Sequence, residues 1–588
     1  DEITEIGAVI LRDGQVVDTF QAFVNPGRSI PQKIVDLTGI TDAMVADAPP
    51  ISQVLPEFLA FCGGRVLCAH NADFDVGFLT AAAERLGLPF DPTYLDTLIF
   101  AQNLMPQLTN HKLDTVANAL SLPDFNHHRA SDDALTCGYL YLRFAKMLQE
   151  RGLQVVVAEA GHVGGGQTGR TTAKLTAQHG AIYAGLIERL GREKAAMYAR
   201  ANRHAVERCC ARIELEQIDC DLERADSWLY SYDREDALLR EAEAERALGL
   251  DASFEPDTPL PLRVCGGVRL RGQAQFHPLK FLQALADRLT IYERTPVEHV
   301  EGGTLFTPRG TIEAGRVVFA SHYPFVNVPG LYFARMHQER SYAIALENAV
   351  LSAGMYYGLE PNAWSLRSYR GTVILSGGAH RTGRNGGGHY AALREAAQAL
   401  FPGSREAAHW SAQDCMTASG VPYIGRFSAR DPQWYVATGF RKWGMSNAMA
   451  AAELLTALIC DGSHPDAAVF DPGDLLQQRP GRIAEEGLQA ARGLGRRVLH
   501  GPVPQADELA VGEGARRAGR KQMGVYRATE ELYYAVELRC PHLGCRLEWN
   551  PDDKSWDCPC HGSRFDVQGR CLTEPAQTDL PACCRRRS

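Results

Sequence analysis

Two short clusters late in the 588-residue chain hold the residues best suited to chemistry. Cys540-Pro-His542-Leu-Gly-Cys545 and Cys558-Pro-Cys560-His561-Gly-Ser563 set a Cys-x-His against a Cys-x-x-His. Two thiolates and two imidazoles suit a [2Fe–2S] cluster in which the cysteines hold one iron and the histidines the other. The same four ligand types also satisfy tetrahedral zinc. Zinc, however, leaves Cys545, Cys560 and the trailing Gly562-Ser563 without a role. Two further groups of residues could do chemistry. His70-Asn71-Ala-Asp-Phe-Asp75 and His127-His128-Arg-Ala-Ser-Asp-Asp133 combine acids with histidine. Phosphodiester hydrolysis by two metals needs such carboxylates to hold the ions and a base near the attacking water. Either motif alone reads equally well as solvated acids at a helix start. Leu153 to Glu159 reads as a strand buried on both faces that ends in an acid and runs into Gly161, Gly164, Gly165 and Gly166. In a dinucleotide-binding fold an acid there bonds the ribose hydroxyls, although an ordinary strand end with a solvated Glu reads the same.

The elements that must position these residues fall into several domains, since roughly 100–200 residues make one. Residues 1–150 alternate short apolar strands (Ile6 to Leu11, Val66 to Ala69) with amphipathic helices (Phe74 to Leu86, Lys112 to Ala119, Asp132 to Glu150), an α/β pattern. Residues 153–480 mix helices with alternating strands, and 481–504 read as a linker. Residues 505–583 are short strands and Cys/His turns, hence a small all-β module. The tail Ala582-Cys-Cys-Arg-Arg-Arg-Ser588 departs from that module and reads as a solvated tail or the product of a frameshift. Hydrophobic residues at 45% and charged residues at 22% exclude disorder and collagen-like repeats. No apolar run approaches the roughly 18 residues of a membrane helix. The best, Leu454 to Cys460, stops at Asp461. A net charge of -9 gives no global basic field for nucleic acid. The 16 cysteines are spread thinly until the end of the chain, which fits a reducing, cytoplasmic setting with one local metal site.

The two late clusters resemble the Rieske family at almost every position. By that resemblance Cys540, His542, Cys558 and His561 are ligands of a [2Fe–2S] cluster, and Cys545 and Cys560 pair as a disulfide. Ser563 stands where the family hydrogen-bonds a bridging sulfide. Phe565 stands where high-potential members often have a tyrosine that donates to a ligand sulfur. Its loss leaves more negative charge on the cluster, so a lower potential is expected.

The runs Gly166-Gln-Thr-Gly-Arg-Thr-Thr-Ala-Lys174, Trp410-Ser-Ala-Gln-Asp414 with Val421-Pro-Tyr-Ile-Gly425, and Tyr435-Val-Ala-Thr-Gly-Phe-Arg-Lys-Trp-Gly-Met-Ser-Asn447 resemble the FAD-dependent oxidoreductases of the glycine/D-amino-acid oxidase family. The likeness spans roughly 153–475 and is nearest to the subgroup with a C-terminal Rieske module. It implies that Glu159 holds the adenosine ribose and Val297 meets the adenine through its backbone. Thr171, Thr172, Lys174, Gly439, Trp443, Gly444 and Met445 would lie near the flavin. It also implies a small amine or amino-acid substrate and a one-electron acceptor. The family's first strand and Gly-x-Gly-x-x-Gly turn should precede Glu159 by about twenty residues. Those positions read Cys137-Gly-Tyr-Leu-Tyr-Leu-Arg-Phe-Ala-Lys146, a helix of the preceding domain.

Residues 1–150, with Leu37-Thr-Gly-Ile-Thr41 and His111-Lys-Leu-Asp114, resemble the DEDDh 3′–5′ exonucleases of the proofreading epsilon type. The resemblance implies Asp75 and Asp133 as Mg2+ or Mn2+ ligands, His128 as general base, support from His70 and Asn71, and a DNA 3′ end as substrate. The family's Asp-x-Glu strand lies outside the sequence, and Asp1, Glu2 and Glu5 are not assigned to it. Two ions on two carboxylates would be under-coordinated, so very low nuclease activity is expected. Together these readings give a multidomain α/β and α+β chain: a ribonuclease H-like exonuclease fold, a Rossmann-like FAD domain with an antiparallel substrate domain, and a small all-β Rieske domain. The junction at Gln149-Glu-Arg-Gly-Leu-Gln154 reads as a natural fusion or as a chimera of two genes.

Overall fold

The computed structural model describes residues 3–12, 15–105, 108–122, 129–150, 154–384, 386–474, 480–495, 509–517 and 522–586. The chain divides into two compact units, Asp1–Gln154 and Val155–Ser588. The mixed α/β and α+β organisation expected from the periodicity is present in both. Among the described residues no helix is long and apolar enough to cross a membrane.

In the first unit, β1 (Glu5–Arg12) pairs antiparallel with β2 (Gln15–Phe23), and β3 (Leu67–Ala69) pairs parallel with β4 (Tyr94–Asp96). Among the described residues no ladder joins these two sheets. Helix α1 (Ala72–Leu86) starts at Asn71, whose φ is 67°, and stops at Gly87, whose left-handed φ of 64° lets its N–H close the last turn. Helix α2 (Ala130–Glu150) packs on β1 at backbone distance: a Cβ on Gly7 would lie 2.3 Å from the Ala130 carbonyl carbon. Ile6, Val24, Val54, Leu55 and Phe58 close the core.

In the second unit, β5 (Val156–Ala158) pairs parallel with β6 (Thr290–Tyr292), and β7 (Val317–Phe319) pairs parallel with a later strand, Trp434–Thr438. These are the two pieces of the α/β part, and among the described residues no strand joins β5 to β7. The consequence is visible in exposure: Val155, Val156 and Val318 are 53%, 40% and 43% exposed. The sequence pattern predicts Leu153 to Ala158 to be buried on both faces. The described part is not, because β5 has a paired neighbour on one side only. Long strands β8 (Met336–Glu347), β9 (Thr372–Arg381) and β10 (Arg405–Thr417) form one end of an eight-stranded, largely antiparallel sheet in the order β10, β8, β9. Tyr342, Ile344, Leu366 and Leu375 pack beneath it. Helix α3 (Gly444–Cys460) follows the loop after Thr438.

The C-terminal part has two four-stranded sheets. One contains β11 (Glu548–Asn550), β12 (Ser555–Asp557), β13 (Arg564–Phe565) and β14 (Cys571–Thr573), around a core of Trp556, Leu547 and Phe565. In the other, Ala582–Arg586 pairs antiparallel with Leu532–Val536. The tail is therefore a strand and not a solvated extension, because an edge ladder is built from backbone N–H and C=O groups, which every residue but proline supplies. Of the stretch read as linker, 481–495 belongs to a helix over Pro480–Gly495, and 496–504 lies outside the described residues.

Candidate functional site

Each cluster loop folds back on itself by backbone bonds. In the first, Cys540 N–H donates to Cys545 O and Gly544 N–H to Cys540 O, both at 2.9 Å. In the second, Cys558 N–H donates to Ser563 O (2.8 Å) and Gly562 N–H to Cys558 O (3.0 Å). This curls the side chains of Cys540, His542, Cys558 and His561 toward one another. The His542 and His561 rings meet edge to face at 4.9 Å between centroids. The thiols of Cys540 and Cys558 hydrogen-bond, which with help from Ser563 holds Cys540 below its ordinary pKa. Burial draws the His542 imidazole down to about 4, so it is neutral, as a metal ligand must be. A disulfide joins Cys545 to Cys560 directly beside this group. Ser563 is fully buried, and its Oγ accepts from Ala576 N–H at 3.0 Å. Phe565 is fully buried in β13.

The donor set fits a [2Fe–2S] cluster. His542 Nδ1 is buried without a hydrogen-bond partner, while its Nε2 lies 2.8 Å from Asn327 Oδ1. A buried ring nitrogen of that kind is costly unless it binds something.

The expected flavin residues spread over the second unit. Glu159 follows β5, and its Oε1 accepts from Gly161 N–H at 2.7 Å. The Val297 carbonyl, expected near the adenine, accepts from Gln577 Nε2 of the Rieske domain at 2.8 Å. Thr171 Oγ1 accepts from Ala173 N–H (3.0 Å), and Lys174 Nζ donates to Thr172 Oγ1 (3.2 Å) and Ser365 Oγ (2.7 Å). Burial, with Arg367 adding to it, pulls Lys174 down to about 7. Gly439 takes a left-handed φ of 73°, and a Cβ there would lie 2.2 Å from Thr417 Cγ2, so the 439–445 loop closes tightly on β10. Trp443 stacks on His179 at 5.2 Å. Gly444 and Met445 open α3, with Met445 packed against a core that includes Leu175, Val206, Cys209 and Phe276. The ring-side residues thus form one region. The dinucleotide end fits less well: the Val297 carbonyl is taken by Gln577, one oxygen of Glu159 by Gly161 N–H, and among the described residues no glycine turn precedes β5 to receive a pyrophosphate.

A group missed in the sequence lies beside that loop. Glu339 of β8 is the direct cross-strand partner of Asp414 of β10. Lys442 Nζ lies 3.6 Å from Glu339 Oε2, and His337 Nε2 3.6 Å from its other oxygen. Burial would raise Glu339, but His337 and Lys442 outweigh it and hold the carboxyl at about 2. Burial raises Asp414 to about 6, with Lys442 opposing. Two facing carboxyls driven apart in this way can serve as a proton holder and a charged anchor. Only sheet register reveals the pair.

In the first unit Asp75 stands in the first turn of α1 and Asp133 in the first turn of α2. They approach closely enough that burial first, then Asp133 and Asp96, raise Asp75 to about 6. Asp96, which sequence reasoning passed over, accepts from the N–H groups of Asn71, Ala72 and Leu98 and so fixes the start of α1 and of the short helix Thr97–Leu104. His70 spans Thr97 Oγ1 (3.0 Å) and the His111 carbonyl (2.7 Å), a supporting place in the fold. Glu5 accepts from Arg129 (3.0 Å) and Ala130 N–H (3.1 Å), so it anchors α2. His128 lies outside the described residues.

Comparison with known proteins matches three family models to the chain: FAD dependent oxidoreductase over residues 142–458, Exonuclease over 1–141, and Rieske [2Fe-2S] domain over 500–583. FAD and a [2Fe–2S] cluster are the cofactors of the first and third. The putative Rieske 2Fe-2S iron-sulfur protein YhfW of Bacillus subtilis is 34% identical over 451 residues, which cover 73% of this chain and 88% of that protein. A PolC-type DNA polymerase III of Caldanaerobacter subterraneus is 47% identical over 156 residues, 26% of this chain and only 11% of the polymerase.

Proposed function

The chain belongs to the FAD-dependent oxidoreductase family and carries a Rieske domain and an exonuclease domain, and on that premise we propose that it oxidises a small amine or amino acid and passes the electrons on singly through a [2Fe–2S] cluster. The ligands in this reading are Cys540, His542, Cys558 and His561. The observation that carries it is their convergence around the orphaned Nδ1 of His542, on a face held against the oxidoreductase body. The cluster supplies a one-electron couple that suits an acceptor other than dioxygen. Glu339, kept ionised beside Lys442, and its partner Asp414 support an ammonium-bearing substrate, the first as charge and the second as a group able to take or hold a proton. FAD, the cofactor of the matched family, would supply the two-electron acceptor that amine oxidation needs, and among the described residues no glycine turn before β5 receives its phosphates, so the chain would hold it weakly.

The test is anaerobic: amines and amino acids are mixed with the iron-loaded chain in the presence of added FAD, and the reduced cluster is read by EPR. A signal produced by an amine and abolished by Glu339→Gln supports the reading. Failure of every amine and amino acid to reduce a cluster that dithionite reduces would overturn it.

A second reading rests on Asp75 and Asp133. Burial and then the charge of Asp133 raise Asp75, which a shared divalent cation would relieve, so the first unit would bind Mg2+ or Mn2+ weakly and present it to a DNA 3′ end. Isothermal titration with Mn2+, lost in Asp75→Asn, tests this. Strong Mg2+-dependent 3′–5′ hydrolysis abolished by His128→Ala would show that the site is more complete than these two acids.

A further inference from the structure

The second cluster loop is clamped to the oxidoreductase body through its carbonyls. Gln338 Nε2 donates to His561 O (2.8 Å) and to Glu574 O (3.0 Å), and Gln413 Nε2 donates to Gly562 O (2.9 Å). Arg381 donates to Pro559 O (3.1 Å) and Cys560 O (3.0 Å). The approach leaves no room for side chains: a Cβ on Gly562 would lie 2.6 Å from Gln338 Cβ, and one on Gly383 2.5 Å from the Pro559 nitrogen. The cluster end of the Rieske domain is therefore seated in one pose within the second unit.

One contact in that seat reaches the ring of an expected ligand. Asn327, in the connection from β7 to β8, places Oδ1 2.8 Å from Nε2 of His542. Tyr323 and Phe333 of the same connection put their rings 6.5 Å and 6.0 Å from the His561 ring. An amide oxygen can only accept, so Nε2 carries the hydrogen and donates. His542 Nδ1, buried and without a hydrogen-bond partner, is then the lone-pair nitrogen. A metal-bound imidazole needs this arrangement, with its second nitrogen donating to an oxygen that sets tautomer and ring orientation.

We propose that Asn327 is the positioning residue of the cluster: a group of the oxidoreductase body that fixes the tautomer and aim of the His542 ligand and thereby sets the cluster's potential. The inference rests on His542 being a ligand. Accepting from Nε2–H pushes electron density into the ring and favours the oxidised cluster, and a neutral amide does so less than a carboxylate would. The side chain at this position thus tunes the couple from outside the Rieske domain.

The test compares the wild-type holoprotein with Asn327→Asp and Asn327→Leu by redox titration followed by EPR, with iron content measured in each. The carboxylate should lower the potential and the apolar side chain should raise it. Pulsed EPR should also show altered coupling of the His542 nitrogens in the leucine variant. If Asn327→Leu fails to retain iron, Asn327→Asp carries the test alone. Unchanged potentials, or shifts of both variants in one direction, would overturn the proposal. A wild-type spectrum without two imidazole nitrogens would instead refute the ligand assignment, and this inference with it.

Discussion

Arg340 is the residue whose loss should most weaken the seating of the Rieske domain. It lies in β8, is 2% exposed, and donates through Nε to Asp553, through Nη1 to Gln413 Oε1 at 3.2 Å, and through Nη2 to Ser411. Asp553, in the turn between β11 and β12, also accepts from Ser411 Oγ (2.8 Å) and from Arg564 Nη2 (3.0 Å), whose Nε bonds Asp557 (3.1 Å). Arg340→Met keeps the volume and removes the charge, leaving Asp553 buried with one arginine instead of two. Breaking a buried pair from one side costs about 3–5 kcal/mol. Each decade in an equilibrium constant is about 1.4 kcal/mol, so docking should weaken by roughly two to three and a half decades. Asp553 is pulled below its ordinary pKa, because the two arginines and Ser411 outweigh its burial. A lowered carboxyl contributes stability above its unfolded pKa of about 3.9 and loses it as pH falls through the lower folded value. The wild type should therefore lose docking stability below about pH 4, and the variant should lose less. The assay is urea unfolding of the holoprotein, followed in parallel by far-ultraviolet circular dichroism and by the cluster's visible dichroism. Wild type should give coincident curves, and Arg340→Met an earlier visible transition. A midpoint shift worth less than about 0.5 kcal/mol, the level of an ordinary surface change, would refute the reasoning.

Phe565→Tyr should raise the cluster potential, since Phe565 is fully buried in the cluster core and a hydroxyl there can donate to sulfur; an unchanged potential in protein film voltammetry would sink that reading. Lys174, drawn down to about 7 by burial, binds more protons unfolded than folded between that value and about 10.4, so stability should rise with pH across this window. Thermal unfolding of Lys174→Met should lack that rise, and an identical pH slope would refute it. The purified chain should carry full iron and far less than one flavin per chain, because β5 has no glycine turn before it; acid extraction yielding equimolar FAD would show that another segment receives the pyrophosphate.

What the sequence determined is local. The residues expected as cluster ligands lie within two turns whose own backbone bonds bring them together, so residue type and spacing pointed to a [2Fe–2S] or zinc set in an all-β module, and the likeness to the Rieske family named the ligands and the disulfide. The same holds for Asp75 and Asp133, each in the first turn of a helix. What lay far apart in sequence was decided by tertiary structure. Glu339 faces Asp414 only because β8 and β10 pair in one register, and a shift of one residue would turn each to the opposite face. Asn327 meets His542 across 215 positions, and Arg340 meets Asp553 across 213, through docking that no periodicity encodes. The Val155-Val156 run read as a buried strand because hydrophobic pattern reports what a segment can bury; whether a neighbouring strand covers it is settled by the rest of the fold.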